Sequence, residues 1–158
     1  MPDAKTARFD DLGALESMIS DEFGQWGKPL TVSQTMIDQF AELSGDRQWI
    51  HVDVERAKKE SPFRATIAHG LLILALIPSI NPQRNQFHFT GYKSAVVYGT
   101  GETRFLSPVV AGSRIHARCR LCKVQQHRSG VLTTFQIAVH ILESEKPSLI
   151  CEMKLLYR

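Results

Sequence analysis

Asp46 and His51, five positions apart in the segment SGDRQWIHVD (residues 44–53), are a carboxylate and an imidazole that a loop can bring together around one water. Such a pair polarises the water for proton transfer, because imidazole is the side chain that titrates nearest neutrality. The neighbours single this pair out. Gly45 supplies a turn directly before Asp46, and Trp49 and Ile50 anchor the loop on apolar surface and so fix His51. A second group is Ala68-His69-Gly70, which stands where a helix is expected to begin. The first turn of a helix presents unpaired backbone N–H groups and the positive end of its dipole, which suits a developing oxyanion. Gly70 lets a substrate approach that backbone closely. His69 by itself reads first as a structural, hydrogen-bonded histidine. An acid–base pair beside an oxyanion site describes chemistry next to a polarised carbonyl. Asp46, His51 and His69 would lack a fourth clear metal ligand, so no metal is expected.

These residues need elements to hold them. Ser33 is a good N-cap, the apolar positions Met36, Ile37, Phe40, Ala41 and Leu43 share one face, and Gly45 ends the run, so an amphipathic helix delivers the chain to Asp46. Asp53 caps a further short helix over residues 54–59, which Ser61, Pro62 and Phe63 break. Residues 67–80, IAHGLLILALIPSI, follow, with no polar side chain from 71 to 77. A helix there has no wet face and is expected to be enclosed as the central core helix, stopped by Pro78 and Pro82. Before all this, residues 4–19 show weak helical periodicity with Asp10 or Asp11 as cap, and residues 23–30 read as an irregular or edge-strand passage with Trp26 as a core plug.

Residues 81–93 read as a connection or flap. From residue 94 onward period-two alternation dominates in four stretches, 94–109, 114–126, 131–143 and 148–157, bounded by turn residues. Four strands joined by short turns predict an antiparallel meander, and the economical packing is a curved sheet wrapped around the one long helix, an α+β fold.

The totals set limits. A chain of 158 residues, 43% hydrophobic and 22% charged, suits one domain over residues 1–158, with 1–30 as a helical or irregular extension. The net charge of +3 is spread singly or in pairs, which argues against a nucleic-acid stripe. No signal peptide or membrane-spanning run is present, so the protein is expected in the cytoplasm. Three cysteines without an export signal are expected to be reduced, and Cys119 and Cys122 are expected on opposite faces of a strand.

SGDRQWIHVD, then TIAHG, then VVYGTGETRFLSPVVAGSRI, in that order and spacing, resembles the MaoC-like dehydratases and (R)-specific enoyl-CoA hydratases, in particular the nodulation-protein-N-like branch, over residues 30–157. The resemblance implies a hot-dog fold, a homodimer joined edge to edge, and Asp46 and His51 as the catalytic pair, with the Gly70 N–H as oxyanion donor. Gln48 and Trp49 stand where the family motif has Asn and Pro. Pro78 stands where some members carry a serine, so that hydroxyl is absent or comes from elsewhere, with Ser79 a candidate. Arg64-Ala65 replaces the Gly-Gly or Gly-Ser of close relatives, a change expected to narrow or charge a substrate wall. Gln48, His69, Tyr98 and Gly99 are candidate substrate contacts, and Arg84, Lys93, Arg104, Arg114 and Lys123 are candidate phosphate contacts. The implied reaction is reversible hydration of a trans-2-enoyl-CoA to the (R)-3-hydroxyacyl-CoA, without metal or redox cofactor. A hot-dog acyl-CoA thioesterase and a non-catalytic acyl-thioester-binding subunit are the alternatives.

Overall fold

The computed structural model describes residues 4–80, 82–83 and 86–158. In chain order the elements are β1 (Lys5–Arg8), α1 (Leu12–Glu16), β2 (Leu30–Thr31), α2 (Gln34–Ser44), α3 (Trp49–Val52), α4 (Val54–Glu60), α5 (Gly70–Ala75), α6 (Ile77–Ile80), β3 (Phe87–Thr90), β4 (Ala95–Phe105), β5 (Arg114–His127), β6 (Gly130–Ile141) and β7 (Pro147–Tyr157). The expected α+β class and the four long strands are present. Their order is not a simple meander. The five-stranded antiparallel sheet runs β2-β5-β6-β7-β4, so β4 pairs with β7 at one edge and not with its sequence neighbour β5. The Pro108–Gly112 passage is therefore a crossover, not a hairpin turn. It is pinned midway, where Ile67 bridges Val110 and the Ala68 N–H donates to the Val109 carbonyl at 2.7 Å.

Alternation decides which face is core. Ile115, Ala117, Cys119 and Leu121 of β5, Phe135, Ile137 and Val139 of β6, and Leu149 and Cys151 of β7 are buried on the concave face, against Leu72, Ile73, Ile77 and Ile80. Each of the Leu, Ile, Val and Phe side chains among them contributes about 1.5–3 kcal/mol when fully buried. Cys119 sits in this core, while Cys122 is half-buried at the bulge between Leu121 and Lys123. Burial pushes the Cys119 thiol up to about 12 and that of Cys151 up to about 11, so neither forms a thiolate near neutrality.

The apolar run departs from its expectation in two ways. It is not one long helix: α5 ends at Ala75 with Leu76 as its C-cap, and α6 restarts with Pro78 in its first turn, where a missing N–H does no harm. Pro78 cannot donate to the Leu74 carbonyl, and the Leu76 N–H takes that acceptor instead. Nor is the helix enclosed on all sides. Leu71 is 62% exposed, and Ala75 and Pro78 are exposed with it, so one apolar face of the run is bare in the single chain.

The N-terminal segment is also different. Residues 5–8 form a strand, not a helix, paired in parallel with β3, which turns part of the expected 81–93 connection into sheet. Only five residues, Leu12–Glu16, are helical, capped by Asp11, whose side chain accepts from the Ala14 N–H at 3.0 Å. Trp26 is no core plug. It is 39% exposed and lies on the outer face of the sheet, stacked on His116 at 3.8 Å with the Arg118 guanidinium 4.7 Å from its ring centroid. Among the described residues no helix is long and apolar enough to cross a membrane.

Candidate active site

The sequence brings the chain to the site through α2. Ser33 caps it, accepting from the Met36 N–H at 3.2 Å, and Gly45 ends it in the left-handed region at φ +79°. Glycine adopts that conformation without the Cβ penalty, and the reversal sets Asp46 on a short turn leading into α3. Asp53 then caps α4 by accepting from the Arg56 N–H at 2.9 Å. Trp49, expected to anchor on apolar surface, also lies beneath the Arg56 guanidinium, 4.4 Å from its ring centroid.

His51 is 7% exposed and held from two directions. Its Nδ1–H donates to the Ile67 carbonyl at 2.7 Å, which leaves Nε2 as the ring nitrogen with a lone pair. That nitrogen lies 4.0 Å from Asp46 Oδ2, the two residues being brought together as the spacing predicts. The backbone of His51 is clamped as well. Gln34 Nε2 donates to the His51 carbonyl at 2.8 Å, Gln34 Oε1 accepts from the Thr66 hydroxyl, and the Ile67 N–H donates to the Ile50 carbonyl at 3.0 Å. Gln34, Thr66 and Ile67 carry no sequence signal for this role, because their bonds join residues 16, 17 and 32 positions apart.

A cavity of about 290 Å³ opens beside His51, lined among others by Ala68, Gly70, Phe105, Ser107 and Ser148, while Asp46 is not among the lining residues. Gly70 begins α5, so its N–H belongs to the first turn and is not one of the amides that close the helix onto the His69 carbonyl, which accepts from Leu72 and Ile73. A Cβ on residue 70 would stand 2.8 Å from the Phe105 ring, so glycine is needed there to bring backbone and ring together. Hydroxyls in this apolar wall come from Ser107 and Ser148: Ser107 donates to the Pro147 carbonyl at 3.3 Å, and its Oγ lies 3.2 Å from Ser148 Oγ. Sequence reasoning did not pick out these two serines. Ser79 is exposed on α6 and does not line the cavity.

The other candidates divide. His69 is 4% exposed and lies against the catalytic candidates, stacked on His51 with ring centroids 3.8 Å apart. Gln48 is exposed at the start of α3, outside the cavity lining. Tyr98 and Gly99 lie on β4 six to seven positions from Phe105, roughly 20 Å along a strand, with Tyr98 at a bulge and its ring 5.3 Å from that of His127. Within one chain they do not join the site. Arg64 and Ala65 do not line the cavity either. Arg64 is exposed and occupies the left-handed region at φ +55°, which explains why glycine suits this position. Of the expected phosphate contacts, Arg84 lies outside the described residues, and Arg104 is paired with Glu102 at 3.2 Å.

Asp46, His51 and His69 place one potential metal-ligand atom each within 4.8 Å of one another. The two imidazole planes, however, are inclined by only 26° in a face-to-face stack, so their in-plane lone pairs run side by side and do not converge on one ion. The arrangement suits proton transfer better than chelation.

Comparison with known proteins gives the family and the fold. The MaoC like domain profile matches residues 21–140. The 3-hydroxyacyl-thioester dehydratase Z of Mycobacterium tuberculosis is 37% identical over 147 residues, covering 91% of this chain and 93% of that protein. Nodulation protein N of Rhizobium meliloti is 39% identical over 139 residues, covering 87% and 85%. Among solved structures, the (R)-hydratase from A. caviae involved in PHA biosynthesis superposes with a TM-score of 0.67 over 88% of this chain and 98% of that one, at 20% identity. At that identity the likeness is one of fold, the hot-dog arrangement.

Proposed function

This chain belongs to the MaoC-like dehydratases, a family of hydro-lyases, and from that premise we propose that it interconverts trans-2-enoyl and (R)-3-hydroxyacyl thioesters in the cytoplasm, with coenzyme A as carrier. The observation that carries the proposal is the orientation of His51. Its Nδ1–H is committed to Ile67, and its basic Nε2 faces Asp46 at 4.0 Å beside a cavity floored by Gly70. That separation is too long for a direct hydrogen bond and short enough for one water to bridge both groups.

In the hydration direction Gly70 N–H binds the thioester oxygen and stabilises the enolate that forms as water attacks C3. His51 Nε2 takes the proton of the attacking water. Asp46 passes that proton on, taking it from His51 Nε2 and delivering it to C2 on the same face, so one water is consumed per thioester and both residues return to their starting states. The chemistry uses no metal or redox cofactor. In the dehydration direction the roles reverse.

The working unit is a homodimer. Supporting this, β4 is an edge strand whose Val97, Tyr98 and Phe105 are exposed, as is Leu106 just after it, and the bare face of α5 at Leu71 adds further unpartnered apolar surface. Long exposed apolar edges invite pairing. Against the thioesterase alternative, α5 has the sequence GLLILA and offers no carboxylate.

The test is loss of conjugated enoyl-thioester absorbance with crotonyl-CoA and a longer 2-enoyl-CoA, with chiral analysis of the product. Hydration to the (R)-alcohol is expected. Untouched enoyl thioesters together with release of free thiol from a saturated acyl-CoA would replace this reading by the thioesterase.

A further inference from the structure

His69 touches all three parts of the site, each in a different way. Its Nε2–H donates to the Asp46 carbonyl at 2.8 Å. Its ring lies face to face with His51, centroids 3.8 Å apart and planes inclined by 26°, and Phe40 packs against it at 5.0 Å. Its carbonyl accepts from the N–H groups of Leu72 and Ile73 and so begins the helix whose first residue is Gly70.

The Asp46 bond matters because little else holds that turn. The Asp46 N–H reaches Ser44 Oγ at 3.3 Å, Asp46 Oδ1 accepts from the Gln48 N–H at 3.3 Å, and the Arg47 N–H donates to the Gly45 carbonyl at 3.1 Å. Arg47 also pairs with Glu42. All of these stay within five positions along the chain. Among the described residues, the His69 bond is the one hydrogen bond joining residues 45–48 to a distant part of the chain.

We infer that His69 is the positioning residue of the site, setting the Asp46–His51 separation through its Nε2–H bond and its ring stack. This rests on the proposed roles of Asp46 and His51. The donor must be Nε2–H, since its partner is a carbonyl, and Nδ1 is buried without a partner. His69 is therefore the neutral Nε2–H tautomer: a second proton on Nδ1 would be a buried charge with no acceptor. A neutral ring beneath His51 is also the arrangement that tolerates a transient proton on His51.

Two variants separate the two contacts. His69→Phe keeps a flat ring under His51 and loses the donor; His69→Gln keeps a donor for the Asp46 carbonyl and loses the flat face. Each is expected to lower kcat, by up to about 100-fold for a displacement near 1 Å, while KM for the enoyl thioester changes little. A purely structural role would leave kcat of the folded fraction unchanged. Wild-type kcat in both variants overturns the inference. A readout that needs neither turnover nor a variant is the nitrogen NMR spectrum of the wild-type imidazoles. His69 is expected to carry its proton on Nε2 and His51 on Nδ1. A proton on Nδ1 of His69 would mean the Asp46 bond does not exist and would overturn the inference even for a fully active enzyme. If enoyl thioesters are not turned over but both tautomers are found, the proposed reaction fails and the positioning role stands.

Discussion

His51 and Asp46 are five residues apart and are held by opposite means. His51 is 7% exposed, its ring bonded to Ile67 at 2.7 Å and its carbonyl to Gln34 at 2.8 Å. The Asp46 side chain is 55% exposed, and its carboxylate accepts from the Gln48 N–H, two residues on, at a long 3.3 Å. The proposed base is thus fixed by the body of the fold, while the proposed acid rides on a turn tethered at one point. A base must keep one tautomer and one orientation to be ready for water. A proton donor on a looser turn can follow the substrate carbon it protonates.

The sharpest test compares the two directly. His51→Ala and Asp46→Asn are each expected to lower kcat by about 10²- to 10⁴-fold, read by the enoyl absorbance assay. Only His51→Ala is also expected to lower the denaturant midpoint, because it strips the Ile67 carbonyl of its donor. Equal stability losses in the two variants would break the contrast.

Next comes Gln34→Ala, which leaves the His51 carbonyl and the buried Thr66 hydroxyl without their partner. A loss of about 1–3 kcal/mol in unfolding free energy is expected, with a fall in kcat. Unchanged stability would mean that the clamp on His51 is not formed by Gln34.

Smaller effects are expected from two backbone positions on either side of the pair. Gly45→Ala forces a Cβ into φ +79° and should destabilise by about 1 kcal/mol while disturbing Asp46. Arg64→Gly relieves a side-chain-bearing residue at φ +55° and should stabilise by at most about 1 kcal/mol, since the freer unfolded glycine offsets part of the gain. Thermal unfolding of the two variants beside the wild type reads both signs.

The smallest effect lies on the opposite face of the sheet and serves as a control. Burial, then His140 and Arg118, hold the His116 pKa below its ordinary 6.5. The unfolded chain therefore binds more protons there, and stability falls as pH drops through about 6.5 toward the folded value and is constant below it. His116→Asn should flatten that slope and leave kcat unchanged. A change in kcat would show that the Trp26 face communicates with the site.

Several parts of this arrangement are legible along the chain because their causes are local. Ser33, Gly45 and Asp53 act within a few residues, so the ends of α2 and the start of α4 fall where capping chemistry places them. The spacing of Asp46 and His51 is spanned by one turn and one short helix, so their meeting needs no distant partner. Where the reading fails, the cause is non-local. Residues 5–8 look weakly helical and become a strand because β3, over eighty positions away, offers them an edge. Trp26 looks like core and instead packs on His116 and Arg118 on the outer face, since it lies in an irregular segment whose course over the sheet no local pattern sets.

By itself, then, the sequence determines the residue types proposed for the chemistry, the caps and turns that present them, and the alternating faces of four strands, all set by sterics and periodicity over a few residues. Only the tertiary structure decides that β4 crosses to pair with β7, which brings Phe105 and Ser107 to Gly70 and Ser148. It alone decides that Gln34 and Ile67 clamp His51, and that Leu71 is left bare on the surface of a helix with no polar side. Each of these depends on which distant backbone groups find partners and which apolar faces meet, a competition among long loops whose closure carries little sequence information.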